Sequence, residues 1–549
     1  MKRISLLLLP LVVFLSCAVY AQKASDAVPR PKLVVGIVID QMRWDYLYRY
    51  YDRYQAGGFK RLLNEGFSCQ NTFITHLPAH TAVGHSTIFT GSVPAIHGIV
   101  GNNWTDQLTW KNWYCTEDTV EKTVGSTSVA GQMSPRNLLA STVTDELALA
   151  TNFRAKIIGV SLKDRAAILP AGHTPTGAFW MDDDSGNFIT STFYMKDLPD
   201  WVKQFNARKE IAKMISKPWT TLYPVNTYVQ STPDNVAWEG KFPGEKQPVF
   251  PHDIAVAYNK DHVNFRRTPY GNTLTLEFAK AAVDGYDLAN GPATNFLTIN
   301  CASTDYVGHF YGPNSIEVED TYLRLDRDLA DFFSYLDKKA GKGNYTVFLT
   351  ADHGAAHSIP FMQAHNLPSD FLKSKTVVKD LNTYLAGKYN VQNIIKGSSS
   401  AYISFDVDKI AKAGLSYDAV KQVSVEFLRR QPGIQFAADM NKIGDTSVPV
   451  VIREKLINGY NSKRCGDVGF VPQPGWFDGG KTGTSHGQWN PFDTHIPLVF
   501  MGWGIRHGAS VNTYSMTDIA PTIAALLHIQ MPSGCIGKAI GEVMAGPAK

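Results

Sequence analysis

Three aspartates and three histidines lie where apolar runs of this chain give way to polar residues. Asp40 closes KLVVGIVID, Asp305 and His309 fall in STDYVGH, Asp352 and His353 in LTADHGAAH, and His486 in KTGTSHGQWN. Carboxylate oxygens and neutral imidazoles form a mixed donor set suited to zinc, and three protein ligands per metal leave positions open for a substrate. The four-residue step from Asp305 to His309 puts both on one face if the chain turns helically there. Taken singly, an aspartate at a strand end reads as a helix cap and a lone histidine as a structural hydrogen-bonder. Four such clusters at the ends of separate apolar runs, all on one predicted rim, read as a metal centre.

A second stretch, THLPAHTAVGHS at 75–86, crowds His76, His80 and His85 among Thr75, Thr81 and Ser86. The histidine spacing invites a helical metal site, but Pro78 and Gly84 interrupt a regular helix across all three. They are expected to be structural or supporting residues, as is His357. The run from Thr81 onward could begin a helix, whose first N–H groups favour a phosphoryl anion.

The elements that must hold these residues are short β-branched and Leu-rich runs at 32–40, 155–164, 295–305, 345–354 and 496–504. Continuous apolar runs bounded by Asp or Gly suit strands buried on both faces. Between them, 315–339 places Val318, Tyr322, Leu325, Leu329, Phe332 and Phe333 on one helical face, and 517–527 reads as a helix capped by Thr517. Alternation of strands and helices predicts an α/β fold, a mostly parallel central sheet sandwiched by helices. Ligands of such sheets bind beyond the carboxyl ends of the strands, where the acidic residues lie. Residues 22–549 are expected to form a single domain with insertions around 174–275 and 362–480.

Composition sets limits. The 549 residues are 44% apolar and 11% aromatic, enough for a large core. Net charge is +4, falling to +2 without Lys2 and Arg3, and no long basic run suggests nucleic acid. Residues 1–21 have the plan of a signal peptide, with a small-residue exit at Ala21, although Cys17 loosely resembles a lipoprotein site. No later run reaches the ~18 apolar residues of a membrane span. The chain is therefore expected to be exported to the periplasm without stable membrane insertion, as a monomer. Five cysteines remain (Cys69, Cys115, Cys301, Cys465, Cys535), room for at most two disulfides.

The motif series VVGIVIDQMRWDY, HTAVGHSTIFTGSVPAIHG, GNNW, SLKDRAAILPAGH, STDYVGH, ADHGAAH, TSHGQW and MTDIAPT resembles, in order, the alkaline phosphatase superfamily. Within it, the chain resembles the exported bacterial alkaline phosphatases with a threonine nucleophile. The resemblance implies two Zn²⁺ about 4 Å apart. It assigns Asp40, Asp352 and His353 to one, which also binds the nucleophile Thr81, and Asp305, His309 and His486 to the other. It places Asn102, Lys163 and Arg165 on the phosphoryl oxygens, where Arg grips two oxygens, Lys adds a point charge and Asn a neutral hydrogen bond. A zinc-dependent phosphate monoester hydrolase acting through phosphothreonine follows.

Other readings compete. Thr81 could be only a helix cap, and Lys163 and Arg165 only solvated charges. A superfamily phosphodiesterase of the nucleotide pyrophosphatase type is the main enzymatic alternative, although the SLKDRA clamp favours a dianionic monoester. A sulfatase would need a C/S-x-P-x-R context, which HTAVG lacks. An exported binding protein, using its Trp-rich insertion to dock glycans, would leave the metal residues without purpose.

Overall fold

The five apolar runs are strands, as their sequence predicts, and they belong to one sheet. The computed structural model describes residues 28–399 and 402–544; the expected signal peptide, with Cys17, lies outside them. From Pro31 onward the chain forms one unit. Its main sheet has eleven strands among the described residues: β1 Leu33–Ile39, β2 Phe67–Phe73, β3 Thr123–Val124, β4 Ile157–Ser161, β5 Gly177–Asp182, β6 Asn187–Ser191, β7 Asn295–Cys301, β8 Tyr345–Thr350, β9 His495–Ile496, β10 Leu498–Gly502 and β11 Gly508–Ser515. The order is β9-β2-β10-β8-β1-β7-β4-β5-β6-β3, with β11 beside β2.

The middle of the sheet, β8-β1-β7-β4-β5, is wholly parallel, while β10, β6 and β3 pair antiparallel at the flanks. Every residue of β1, β4, β7 and β8 is buried, which explains their unbroken apolar character. The helices that bear on the site are α1 Thr81–Thr90, α2 Asp164–Ala171, α3 Ser303–Tyr311, α4 Ile316–Ala340 and α5 Val450–Gly459. In α4 the Ser315 hydroxyl accepts from Val318 N–H at 3.2 Å, and the six predicted apolar residues are buried. Glu317 and Glu319 in its first turn and Lys338 and Lys339 in its last complement the helix dipole.

Thr517, expected to cap the helix, lies inside a 3₁₀ turn whose own cap is Ser515. A short 3₁₀ turn, Met516–Asp518, precedes the helix Ile519–Leu527; Ser515 Oγ accepts from Thr517 N–H at 3.2 Å, and Asp518 returns to Ser515 N–H at 2.9 Å. Residues 174–275 contribute β5 and β6, which extend the main sheet. Residues 395–472 build a separate four-stranded sheet with its own apolar cluster, including Ile403, Phe405, Leu428 and Phe470. All five described cysteines are free thiols. Among the described residues no helix is long and apolar enough to cross a membrane.

Candidate active site

Parallel register sets the floor of the site. Ser161, Asn300, Val38 and Thr350 lie level across β4, β7, β1 and β8. Two residues past that level, three of these strands deliver Lys163, Asp40 and Asp352; the fourth delivers Asp305 from the first turn of α3. Short polar links fix the strand ends. Ser161 Oγ donates to Asn300 Oδ1 at 2.8 Å, Asn300 Nδ2 donates to Asp40 Oδ2 at 3.3 Å, and Thr304 Oγ1 donates to the Asp40 carbonyl at 2.6 Å. Asp40, Asp352 and His353 are fully buried, and Lys163 and Asp305 nearly so.

The six expected ligands converge. Asp40, Asp352 and His353 offer ligand atoms within 4.8 Å of one another, and so do Asp305, His353 and His486. His353 thus faces both groups, its Nε2 3.6 Å from Asp40 Oδ1 and 3.5 Å from Asp352 Oδ2. His309 Nε2 is 3.2 Å and His486 Nε2 3.8 Å from Asp305 Oδ1. The His353 and His486 rings stack at 3.5 Å.

A divalent cation fits this donor set. In all three histidines Nδ1 sits against a backbone carbonyl: Gly354 at 3.0 Å for His353, Thr484 at 2.9 Å for His309 and Ala79 at 2.7 Å for His486. Protonated Nδ1 then leaves the Nε2 lone pair toward the carboxylates, the arrangement a metal ligand needs. Asp40 Oδ1 is buried without a hydrogen-bond donor. Among the described residues, the ammonium paired with these carboxylates is that of buried Lys163, which reaches Asp40 and Asp305.

The charges respond accordingly. Burial and the Asp352 carboxylate push Asp40 up to about 6, despite Lys163. Burial also opposes charge on Asp352, but His353 and His85 outweigh it and lower it to about 2. Asp305 is likewise held well below the usual range against burial, by His309 and Lys163. Burial, with His353 and His309 nearby, pushes His486 far down, so it stays neutral.

Thr81 is the first residue of α1, not its cap; His80, with extended backbone, holds the cap position. Thr81 Oγ1 lies 3.4 Å from His353 Nε2. His85, one turn on, contacts the Thr81 carbonyl at 2.8 Å and Asp352 Oδ2 at 3.3 Å through the same Nδ1. Gly84 packs directly on the Asp352 backbone, leaving no room for a Cβ. Asn102 Oδ1 accepts from Ala82 N–H at 3.0 Å, which leaves Nδ2 free to donate; neighbouring Asn103 is exposed in a strand. Lys163 Nζ donates to Asp40 Oδ2 at 2.9 Å and Asp305 Oδ2 at 2.7 Å, bridging the two groups. Arg165 Nη1 donates to the Tyr114 hydroxyl at 3.1 Å, and that hydroxyl donates to Asp164 at 2.8 Å.

The family model described as type I phosphodiesterase / nucleotide pyrophosphatase matches residues 34–495, from β1 to β9. The chain belongs to this family. It is 54% identical over 536 residues to alkaline phosphatase PafA of Elizabethkingia meningoseptica, covering 97% of this chain and 98% of that protein. It is 50% identical over 530 residues to a protein of Myroides odoratus named calcium-transporting ATPase, covering 96% and 97%. The crystal structure of wild-type alkaline phosphatase PafA superposes with a TM-score of 0.93 at 54% identity, over 95% of this chain and 100% of that one. The resemblance to the alkaline phosphatase superfamily and the α/β fold are thereby established.

In this phosphodiesterase-family chain three contributors escape a reading of motifs. Gln41 has a left-handed backbone (φ 62°); its N–H donates to Asp352 Oδ1 at 3.2 Å and its Nε2 to Asp305 Oδ1 at 2.7 Å, reaching both groups. Its only sequence signal is its place after Asp40. Tyr114 links Arg165 to Asp164 from a remote strand. Helix α5, in the second insertion, braces the segment before Thr81. Lys455 Nζ donates to the Ile74 carbonyl, Leu77 N–H to the Lys455 carbonyl at 3.0 Å, and Asn458 Nδ2 to the Thr75 carbonyl at 2.7 Å. Gly459 meets the Leu77 carbonyl so closely that a Cβ could not fit.

Proposed function

We propose that the protein is an exported, monomeric, two-zinc phosphate monoester hydrolase with Thr81 as nucleophile. The observation that carries this is the Thr81 hydroxyl at the start of α1, 3.4 Å from His353 Nε2, which itself faces the buried carboxylates of Asp40 and Asp352. The 54% identity to an alkaline phosphatase supports the monoester over the diester.

Asp40, Asp352 and His353 would hold one zinc and Asp305, His309 and His486 the other; when bound, the pair supplies Lewis acidity and neutralises charge on the reacting oxygens. The protein's own residues do the rest. Arg165 and the Asn102 amide bind the non-bridging phosphoryl oxygens and orient phosphorus toward Thr81 Oγ1. Thr81 Oγ forms its bond to phosphorus as the bond to the alcohol oxygen breaks in line, giving phosphothreonine and the freed alcohol. Water attacks the same phosphorus from the vacated side, releasing inorganic phosphate and restoring Thr81. Lys163, also expected at the phosphoryl oxygens, has its ammonium between Asp40 (2.9 Å) and Asp305 (2.7 Å) and adds its positive charge there.

A panel of phosphate monoester, phosphate diester, sulfate ester and ATP, the last with and without calcium, tests the reading. Monoester kcat/KM should exceed diester kcat/KM, and phosphate release from ATP should not need calcium. A higher diester value would overturn the monoesterase assignment, and full activity in Thr81→Ala would overturn the mechanism.

A further inference from the structure

A buried carboxyl that takes no part in the reaction links the loops of the two stacked histidines. Asp493 lies in the short helix Pro491–Thr494, just before β9, and is fully buried. Its Oδ2 accepts the Gln488 N–H at 2.7 Å, two residues past His486. Its carbonyl accepts the Gly354 N–H at 2.8 Å, one residue past His353. The neighbouring Phe492 carbonyl accepts the Ala355 N–H at 3.0 Å and lies so close to Gly354 that a Cβ there would collide with it.

The two attachments differ in kind. Backbone bonds fix the His353 loop, whatever side chain residue 493 bears. The His486 loop depends on the carboxyl. Gly487 makes a left-handed turn there (φ 111°), a conformation open to few other residues. The chain is tied down on either side of that turn, His486 Nδ1 against the Ala79 carbonyl at 2.7 Å and the Gln488 N–H on Asp493. The pocket itself does not favour a carboxyl. Asp493 Oδ1 is buried without a hydrogen-bond partner, and burial pushes the group up to about 8, against the Gln488 N–H and Arg43. An apolar side chain would suit this pocket better, but it would leave the Gln488 N–H without its acceptor.

We propose that Asp493 is a positioning residue of the metal centre: its carboxyl oxygen, by holding the turn at 487–488, aims His486 at Asp305. The proposal rests on the two-zinc reading and concerns the group of Asp305, His309 and His486. Outer partners of metal ligands are worth about 10–100-fold in metal affinity.

Zinc affinity tests it, read by withdrawing zinc from the loaded protein with rising concentrations of a chromophoric chelator. The parent should release two zinc ions. Asp493→Leu, similar in size but without an acceptor, should hold one ion at the parent's affinity and the other at least about tenfold more weakly, and Asp493→Ala should do the same. Asp493→Asn keeps an oxygen acceptor and should stay within about threefold of the parent for both ions. Added to His486→Ala, Asp493→Leu should cost no further affinity, because the residue it aims is already gone. Parent affinities in both the Leu and Ala variants, equal weakening of both ions, a loss in Asp493→Asn as large as in Asp493→Leu, or a further loss on the His486→Ala background overturns the proposal and leaves the two-zinc reading standing. A parent that holds no zinc overturns that reading and the proposal with it.

Discussion

The Lys163 ammonium donates to Asp305 at 2.7 Å, inside a pocket where Asp40, a second acceptor at 2.9 Å, is fully buried. Replacing Lys163 by Met takes away the ammonium that two of the three buried carboxylates, Asp40 and Asp305, share. Unpairing a buried ion pair costs about 3–5 kcal/mol. We expect kcat/KM to fall at least about 100-fold. In chelator, the melting temperature of Lys163→Met should drop further below the parent's than it does with zinc present, because bound cations take over the neutralisation. Equal drops in both conditions would refute this account.

Thr81→Ser keeps an oxygen where Thr81→Ala has none. The serine variant should retain activity within about tenfold and the alanine variant should lose about 10⁴-fold or more. Acid quenching during turnover and mass measurement should place a phosphoryl group on residue 81 in the parent and in the serine variant only.

Chelation should abolish phosphate release, and added zinc should restore it. Elemental analysis of the active protein should return two zinc ions per chain. Alanine at Asp352 should lower that count, because Asp352 is fully buried among the ligand atoms of one group. A full count of two in that variant would contradict the assignment.

Away from the site, His252 lies between Glu245 (2.8 Å) and Glu317 (3.2 Å). Burial opposes its charge, but these two hydrogen bonds prevail and raise its pKa from 6.5 to about 9. A histidine raised in the folded state stabilises fully below its unfolded value and loses that contribution as pH rises through the folded one. The stability advantage of the parent over His252→Gln should therefore shrink by about 3 kcal/mol between pH 6.5 and 9. Denaturant unfolding at the two pH values measures it, and a constant difference would rule it out.

Gly459 sits against the Leu77 carbonyl, four residues before Thr81. Gly459→Ala must push the segment 74–78 aside, so kcat should fall about tenfold or more while KM changes little. Asn458→Ala, which removes only the hydrogen bond to the Thr75 carbonyl, should show a smaller loss of the same kind. A change confined to KM would argue against a positioning role.

Much of this was legible because the parallel strands are buried on both faces, so β1, β4, β7 and β8 appear as apolar runs ended by their functional residues. The step from Asp305 to His309 spans one turn of α3, as its spacing implies. Gln41 was hidden because a left-handed backbone at a non-glycine residue leaves no mark in residue type. The brace from α5 was hidden because Asn458 and Thr75 are 383 positions apart. Thr517 was mistaken for a cap because the hydroxyl that performs the task, Ser515, is the last residue of β11.

The insertion that carries α5 looks dispensable when the chain is drawn as a line. In space it is not: three hydrogen bonds and one glycine contact tie α5 to the residues that lead into Thr81. A shortened enzyme made by deleting 362–480 would keep every residue expected to react and yet lose the splint that aligns the segment leading into Thr81. Homologues that vary in length should therefore vary at the outer strands of the insertion and hold α5 constant, with changes at Gly459 answered by changes at Leu77.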